Sequence, residues 1–175
     1  MPDRVSHTGW TIRQDEDLHG LWGGSGWRTS FVQRTSREVC WVPLLARSHG
    51  SFGVDAFGEW YSSNFNGTAL TLLNDENALY AIPVLDLTLS ELVLGLSSVD
   101  ASLREVASRT LVILIARATG EALRQRGQTY VEVGLRWIEL APRSDALRES
   151  LASLVASKRG TQRQRQLARR VLRDY

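Results

Sequence analysis

A chain of 175 residues, 43% apolar and 23% charged, has the size and composition of one globular domain that can form a core without disulfides or metals. Those proportions exclude a wholly disordered chain, and the longest uninterrupted apolar run, Leu111 to Ile115, is far short of the ~20 residues that cross a bilayer. The formal charge of +2 is unevenly placed: over residues 158–175 seven cations stand against Asp174 alone, giving +6 there and −4 in the remainder.

The N-terminal MPDRVSHTGWTIRQDED contains nothing like the apolar stretch of a signal peptide. A soluble, cytoplasmic protein without membrane partners is therefore expected; signal-independent export is compatible with the same features. Residues 1–36 read as an irregular segment rich in tryptophan and glycine. Gly24-Ser25-Gly26 lacks the Lys-Ser/Thr of a phosphate loop and reads as a turn. His7, His19 and His49 show no metal-ligand spacing, and Cys40, the single cysteine, sits in an apolar strand pattern. Neither a metal site nor a cofactor is expected.

From Arg37 onward the signals are those of strands. The run 38-EVCWVPLLA-46 predicts a buried strand, with Pro43 marking an edge or a bulge. The stretch 52-FGVDAFGEWYSSNF-65 predicts one long bent strand or two short ones, and Asn66-Gly67 is a hairpin turn signal. A second hairpin, 68-TALTLL-73 with 78-ALYAIPV-84 around 74-NDEN-77, completes a mostly antiparallel meander.

The pattern changes after Val84. Leu89, Leu92, Val93 and Leu96 recur at helical spacing. Asp100 or Ser102 starts a long helix that Gly127 stops, apolar on every side at Leu111 to Ile115, and so the central helix of the fold. The alternation in 129-TYVEVGLRWIEL-140 predicts one late strand returning to the sheet. Ser144 caps a helix whose Leu147, Leu151, Leu154 and Val155 form one stripe; Gly160 breaks it, and Thr161 caps a last, basic helix. The expected architecture is α+β: a mostly antiparallel sheet in the N-terminal half packed on a long central helix, one late strand and a C-terminal helical pair. Residues 1–157 form a single domain in this reading, with 158–175 as a basic helix or tail.

Two features carry candidate chemistry. Arg117, Glu121 and Arg124 share one helix face, so the glutamate can pair with either arginine. On a solvated face such a ladder gives only ~0.3–0.5 kcal/mol per pair. Gly120 points elsewhere, because a glycine inside a helix costs ~1 kcal/mol relative to alanine and often marks a close backbone approach, a bend or a ligand. At the floor of a cleft, a carboxylate and a guanidinium would stabilise a cationic transition state and a departing anion.

The segment 107-ASRTLVILIARATGEALRQRGQ-128 resembles the active-site helix of the ribosome-inactivating N-glycosidases, the ricin and Shiga toxin A chains, and 72-LLNDENALYAI-82 resembles the strand carrying that family's first adenine-stacking tyrosine. The resemblance covers about 35 residues. It implies an enzyme that releases adenine from structured RNA, with the ribosome or another RNA as partner. Glu121 would stabilise the oxocarbenium-like ribose and Arg124 would polarise the leaving base. Tyr80 would stack on the extruded base, with Arg117 and Trp137 as further substrate-binding positions. The spacing from Arg109 to Glu121 is one residue longer than in that family. This rotates the pair by ~100° unless the helix bulges, at Gly120 for instance.

The second feature is the basic segment itself. Lys158, Arg159, Arg163, Arg165, Arg169, Arg170 and Arg173, separated by glutamines, suit a phosphate backbone or an acidic protein surface. The alternative expectation is thus a non-enzymatic binding or adaptor protein that works through its C-terminal helix.

Overall fold

The computed structural model describes residues 4–5, 11–12, 26–33, 35, 37–47, 50–64, 69–157 and 159–175. The three histidines, the 22-WGG-24 segment, the Asn66-Gly67 turn and Lys158 lie outside the described residues. The protein is of mixed α and β structure and divides into two compact units. The first contains Met1–Leu72 and Ser90–Ser108; the second contains Leu73–Leu89 and Arg109–Tyr175.

In the first unit, two-residue strands β1 (Arg4–Val5) and β2 (Thr11–Ile12) pair with each other. Strands β3 (Arg28–Val32), β4 (Glu38–Arg47), β5 (Gly50–Asp55), β6 (Trp60–Ser63) and β7 (Ala69–Leu72) form a closed barrel. Each successive pair is antiparallel, as the short connections require. Five alternating strands leave the first and last running the same way. The barrel therefore closes through a parallel pairing of β3 with β7, Phe31 opposite Ala69 and Val32 opposite Leu70. Closure removes the sheet edges that would otherwise present unpaired backbone groups.

Val32, Val39, Trp41, Tyr61 and Leu70 form the barrel core, and the Trp41 indole donates to the Ser30 hydroxyl at 3.1 Å. The β4–β5 register shifts between Pro43 and Leu45, the irregularity expected of a proline that cannot donate to the ladder. Cys40 is buried there as an ordinary apolar residue. Gly53 is required by packing: a Cβ at this position would overlap the Val42 carbonyl and the Trp41 ring. Helix α1 (Leu89–Ser97) sets Gly95 against the backbone of Leu44 in the same way, and its C-terminal carbonyls at Leu96 and Ser97 accept from the Arg104 guanidinium.

Two expected strands are helical. Residues 78-ALYAIPV-84 lie in a 3-10 helix, Ala78–Asp86. Ala78, Ala81 and Val84 are buried while Tyr80, Pro83 and Asp86 are exposed, the three-residue period of that helix. Because β7 already pairs with β3, the barrel has no place for a further strand. The late strand is likewise absent: 129–140 is mainly helix α3 (Gln128–Trp137). Alternation and helical periodicity agree at Val131 and Leu135. Gly134 and Ile138 separate them, and both are buried, completing an i, i+3, i+4, i+7 stripe.

The remaining helices follow the sequence. Helix α2 (Ala101–Arg124) begins where Asp100 Oδ1 accepts from the amides of Ser102 and Leu103 at 2.9 and 3.0 Å. Ser144 caps α4 (Asp145–Ala156). Gly160, at φ 67°, breaks the chain before Thr161 and Gln164 form a capping box on α5 (Gln162–Arg173). Among the described residues, no single helix is long and apolar enough to cross a membrane.

Candidate functional site

Helix α2 is continuous α-helix through Gly120, with no bulge to turn the residues that follow. Gly120 is buried against α4: a Cβ there would lie 3.4 Å from the Ser150 hydroxyl and 3.9 Å from Leu147. The glycine thus admits a neighbouring helix. Glu121 and Arg124 fill the same seam. Arg124 pairs with Glu121 at 3.0 Å and donates to Ser150 at 3.1 Å, and Gln125 donates to the other Glu121 oxygen. The Arg124 carbonyl accepts from Arg159, which also donates to the Ser153 hydroxyl of α4 at 2.7 Å.

The positions that the resemblance grouped with this pair have separate surroundings. Arg117 pairs with Asp75 at 2.6 Å and donates to the Leu73 carbonyl at 2.8 Å, tying the segment before the 3-10 helix to α2. Tyr80 is half exposed on that 3-10 helix. Trp137 is buried, its indole donating to the Leu85 carbonyl at 2.6 Å, a structural anchor with no exposed face for a ligand.

The basic segment is organised differently. Helix α5 packs on α3 and α4, with Ala168 fully buried and Leu167, Val171 and Leu172 partly covered. Arg165 belongs to the anchored side, donating to the carbonyls of Arg159 and Gly160. The opposite face carries Gln162, Arg163, Gln166, Arg169, Arg170 and Arg173, all exposed. At ~100° per residue these six fall within an arc of ~120°, and Arg163 to Arg173 spans ~15 Å. The helix contains no carboxylate, and none of the four exposed arginines forms an ion pair with a described residue.

A third group lies at the end of the barrel, where no sequence motif marked it. Asp55 closes the β5–β6 hairpin: its Oδ1 accepts from the amides of Phe57 and Glu59, both at 2.9 Å. Its Oδ2 lies 3.1 Å from the Tyr61 hydroxyl, which is also 2.9 Å from Glu59 Oε2. Arg37 donates to that same Glu59 oxygen at 2.8 Å. Burial, reinforced by the Glu59 charge, pushes the Asp55 carboxyl up to about 6 against the opposing effect of its hydrogen bonds. Burial and the two carboxylates push the Tyr61 phenol well above its usual range, so it stays neutral. The signal in the sequence was faint, a polar Asp55 and Glu59 among apolar strand residues. It becomes legible only once the hairpin register sets them beside Tyr61.

Among the described residues no cluster of His, Cys, Asp and Glu could hold a metal ion. The fold and these sites define a mixed protein with a closed barrel unit and a helical unit bearing an arginine face. No family model, curated protein or solved structure matches the chain.

Proposed function

We propose that this protein binds the phosphate backbone of nucleic acid through the exposed face of α5, without enzymatic chemistry at Glu121 and Arg124. One observation carries the reading: four exposed arginines with interleaved glutamines, no carboxylate among them, fixed along ~15 Å of a docked helix. Helix stability does not account for the row. Arg170 and Arg173 in the last turn complement the helix dipole, but Arg163 in the first turn opposes it. Guanidinium groups match phosphate oxygens bidentately, and the glutamine amides add neutral donors. With no aromatic residue on this face, contact is to the backbone rather than to stacked bases, and binding is independent of sequence.

Glu121 and Arg124 serve in this reading to lock α2 to α4 and to the segment leading into α5, which holds the arginine row in place. Fluorescence anisotropy with a labelled duplex oligonucleotide tests the proposal. Binding at low salt, lost on joint replacement of Arg163, Arg169, Arg170 and Arg173 by glutamine in a folded protein, supports it. Equal binding by that variant overturns it, as does binding only to an acidic polypeptide.

A further inference from the structure

The Asp55 cluster contains a shortage of protons. A phenol carries one hydrogen, yet the Tyr61 oxygen stands within hydrogen-bond distance of two carboxylate oxygens, Asp55 Oδ2 at 3.1 Å and Glu59 Oε2 at 2.9 Å. If both carboxylates were ionised, one of these contacts would set a lone pair against a negative oxygen. Asp55 Oδ1 gives no relief, since it already accepts two backbone amides. One added proton satisfies all of these oxygens: Asp55 Oδ2 donates to the Tyr61 oxygen, which also accepts from Arg37 at 3.4 Å, Tyr61 donates to Glu59, and Glu59 also accepts from Arg37. The added proton belongs on Asp55, which is deeply buried, rather than on Glu59, which is partly exposed and paired directly with Arg37.

We propose that Arg37, Glu59, Tyr61 and Asp55 form a proton-operated latch: a proton shared between the Asp55 carboxyl and the Tyr61 hydroxyl holds the β5–β6 hairpin closed, and its loss loosens that end of the barrel. The two amides hold an ionised Asp55 more strongly, but the Glu59 charge facing it across a single phenol hydrogen repels it. Because the same side chain accepts the Phe57 and Glu59 amides, its displacement acts directly on the turn. Gly58 there adopts φ 82° and the Phe57 ring is exposed, so the turn depends on the two amide bonds to Asp55. Among the described residues, the charged and titratable groups facing Asp55 are Arg37 from the segment before β4, Glu59 from the turn and Tyr61 from β6. Strand β4 contributes the uncharged Trp41 opposite it in register. The burial that favours the neutral acid places the transition at about 6, where modest acidification operates it.

Carbon-detected NMR of the Asp55 carboxyl, with amide exchange at Phe57 and Glu59 between pH 4.5 and 7.5, tests the latch in the intact chain. The expected result is a carboxyl titrating near 6, with protection of both amides falling by about 10-fold or more across the same range after correction for intrinsic exchange. Asp55→Asn keeps an acceptor for the turn and gains a donor toward Tyr61, so it should hold its protection with no pH step. Tyr61→Phe removes the shared hydroxyl and should move the step. A wild-type carboxyl titrating below about 4.5, or amide protection that does not change with pH, overturns the proposal, and the wild-type titration alone decides if a variant does not fold. A step retained unchanged in both variants also overturns it.

Discussion

The two units handle charge in opposite ways. By residue count the barrel unit carries seven cations against ten carboxylates, a net −3, and the helical unit fourteen against nine, a net +5. The barrel unit draws a carboxylate into its interior, where it needs a phenol, two amides and a proton. The helical unit turns its surplus cations outward along one helix and keeps its anchored arginines, Arg117, Arg124, Arg159 and Arg165, for carbonyls, hydroxyls and carboxylates that hold elements together. Burial makes a charge sensitive to pH, whereas exposure leaves it available to a ligand and sensitive to salt. The charged groups of the two units therefore predict different responses.

The largest effect expected is on the barrel. Gly53→Ala forces a methyl group into the Val42 backbone and the Trp41 ring and should cost about 3 kcal/mol or more, read as loss of the near-ultraviolet tryptophan signal of the barrel with α-helical circular dichroism retained. Next is pH. The folded carboxyl of Asp55 lies above its value of 3.8 in the unfolded chain, so the native state binds the extra proton between about 4 and 6. The stabilisation is present in full below about 4 and is lost as pH rises through about 6, on the order of 3 kcal/mol in all. Denaturant unfolding at pH 5 and pH 7 should show roughly 1 kcal/mol of that difference in the wild type and none in Asp55→Asn. A smaller effect is expected at the helical seam. Glu121→Gln removes one partly exposed pair and should lower stability by up to about 1 kcal/mol in denaturant unfolding. Replacing Arg163, Arg169, Arg170 and Arg173 by glutamine should leave the thermal midpoint nearly unchanged, because none of them is anchored.

These differences also show which features the sequence made legible. The antiparallel pairing of the strands up to β7, though not the second expected hairpin, the Pro43 irregularity and the caps at Asp100, Ser144 and Thr161 depend on neighbours within a few residues, and these are present. Closure of the barrel depends on Phe31 meeting Ala69, a pairing that no local pattern encodes. The two expected strands that are helical have separate causes. In 129-TYVEVGLRWIEL-140 the alternation runs through Val131, Val133, Leu135 and Trp137, whereas the helical stripe needs Ile138 and Gly134, whose missing side chain hides its burial against Ala122 and Leu123. In 78-ALYAIPV-84 the apolar run was read without its three-residue period. Gly120 was rightly singled out as a close approach, but the sequence could not say whether a ligand or a helix would approach; it is α4, through Ser150. The basic helix was legible as composition, while its division into an anchored side with Arg165 and an outward row was not, because that depends on α3 and α4.

The central claim is that the outward row on α5 contacts phosphates, and its most direct test is the salt dependence of duplex binding. Four phosphate contacts predict a slope of about −3.6 in log affinity against log salt, a loss of about 150-fold between 50 and 200 mM. Each single Arg→Gln replacement in the row should reduce that slope by about 0.9, whereas Glu121→Gln should leave it unchanged. A slope that stays the same when Arg163, Arg169, Arg170 and Arg173 are all replaced would contradict the account.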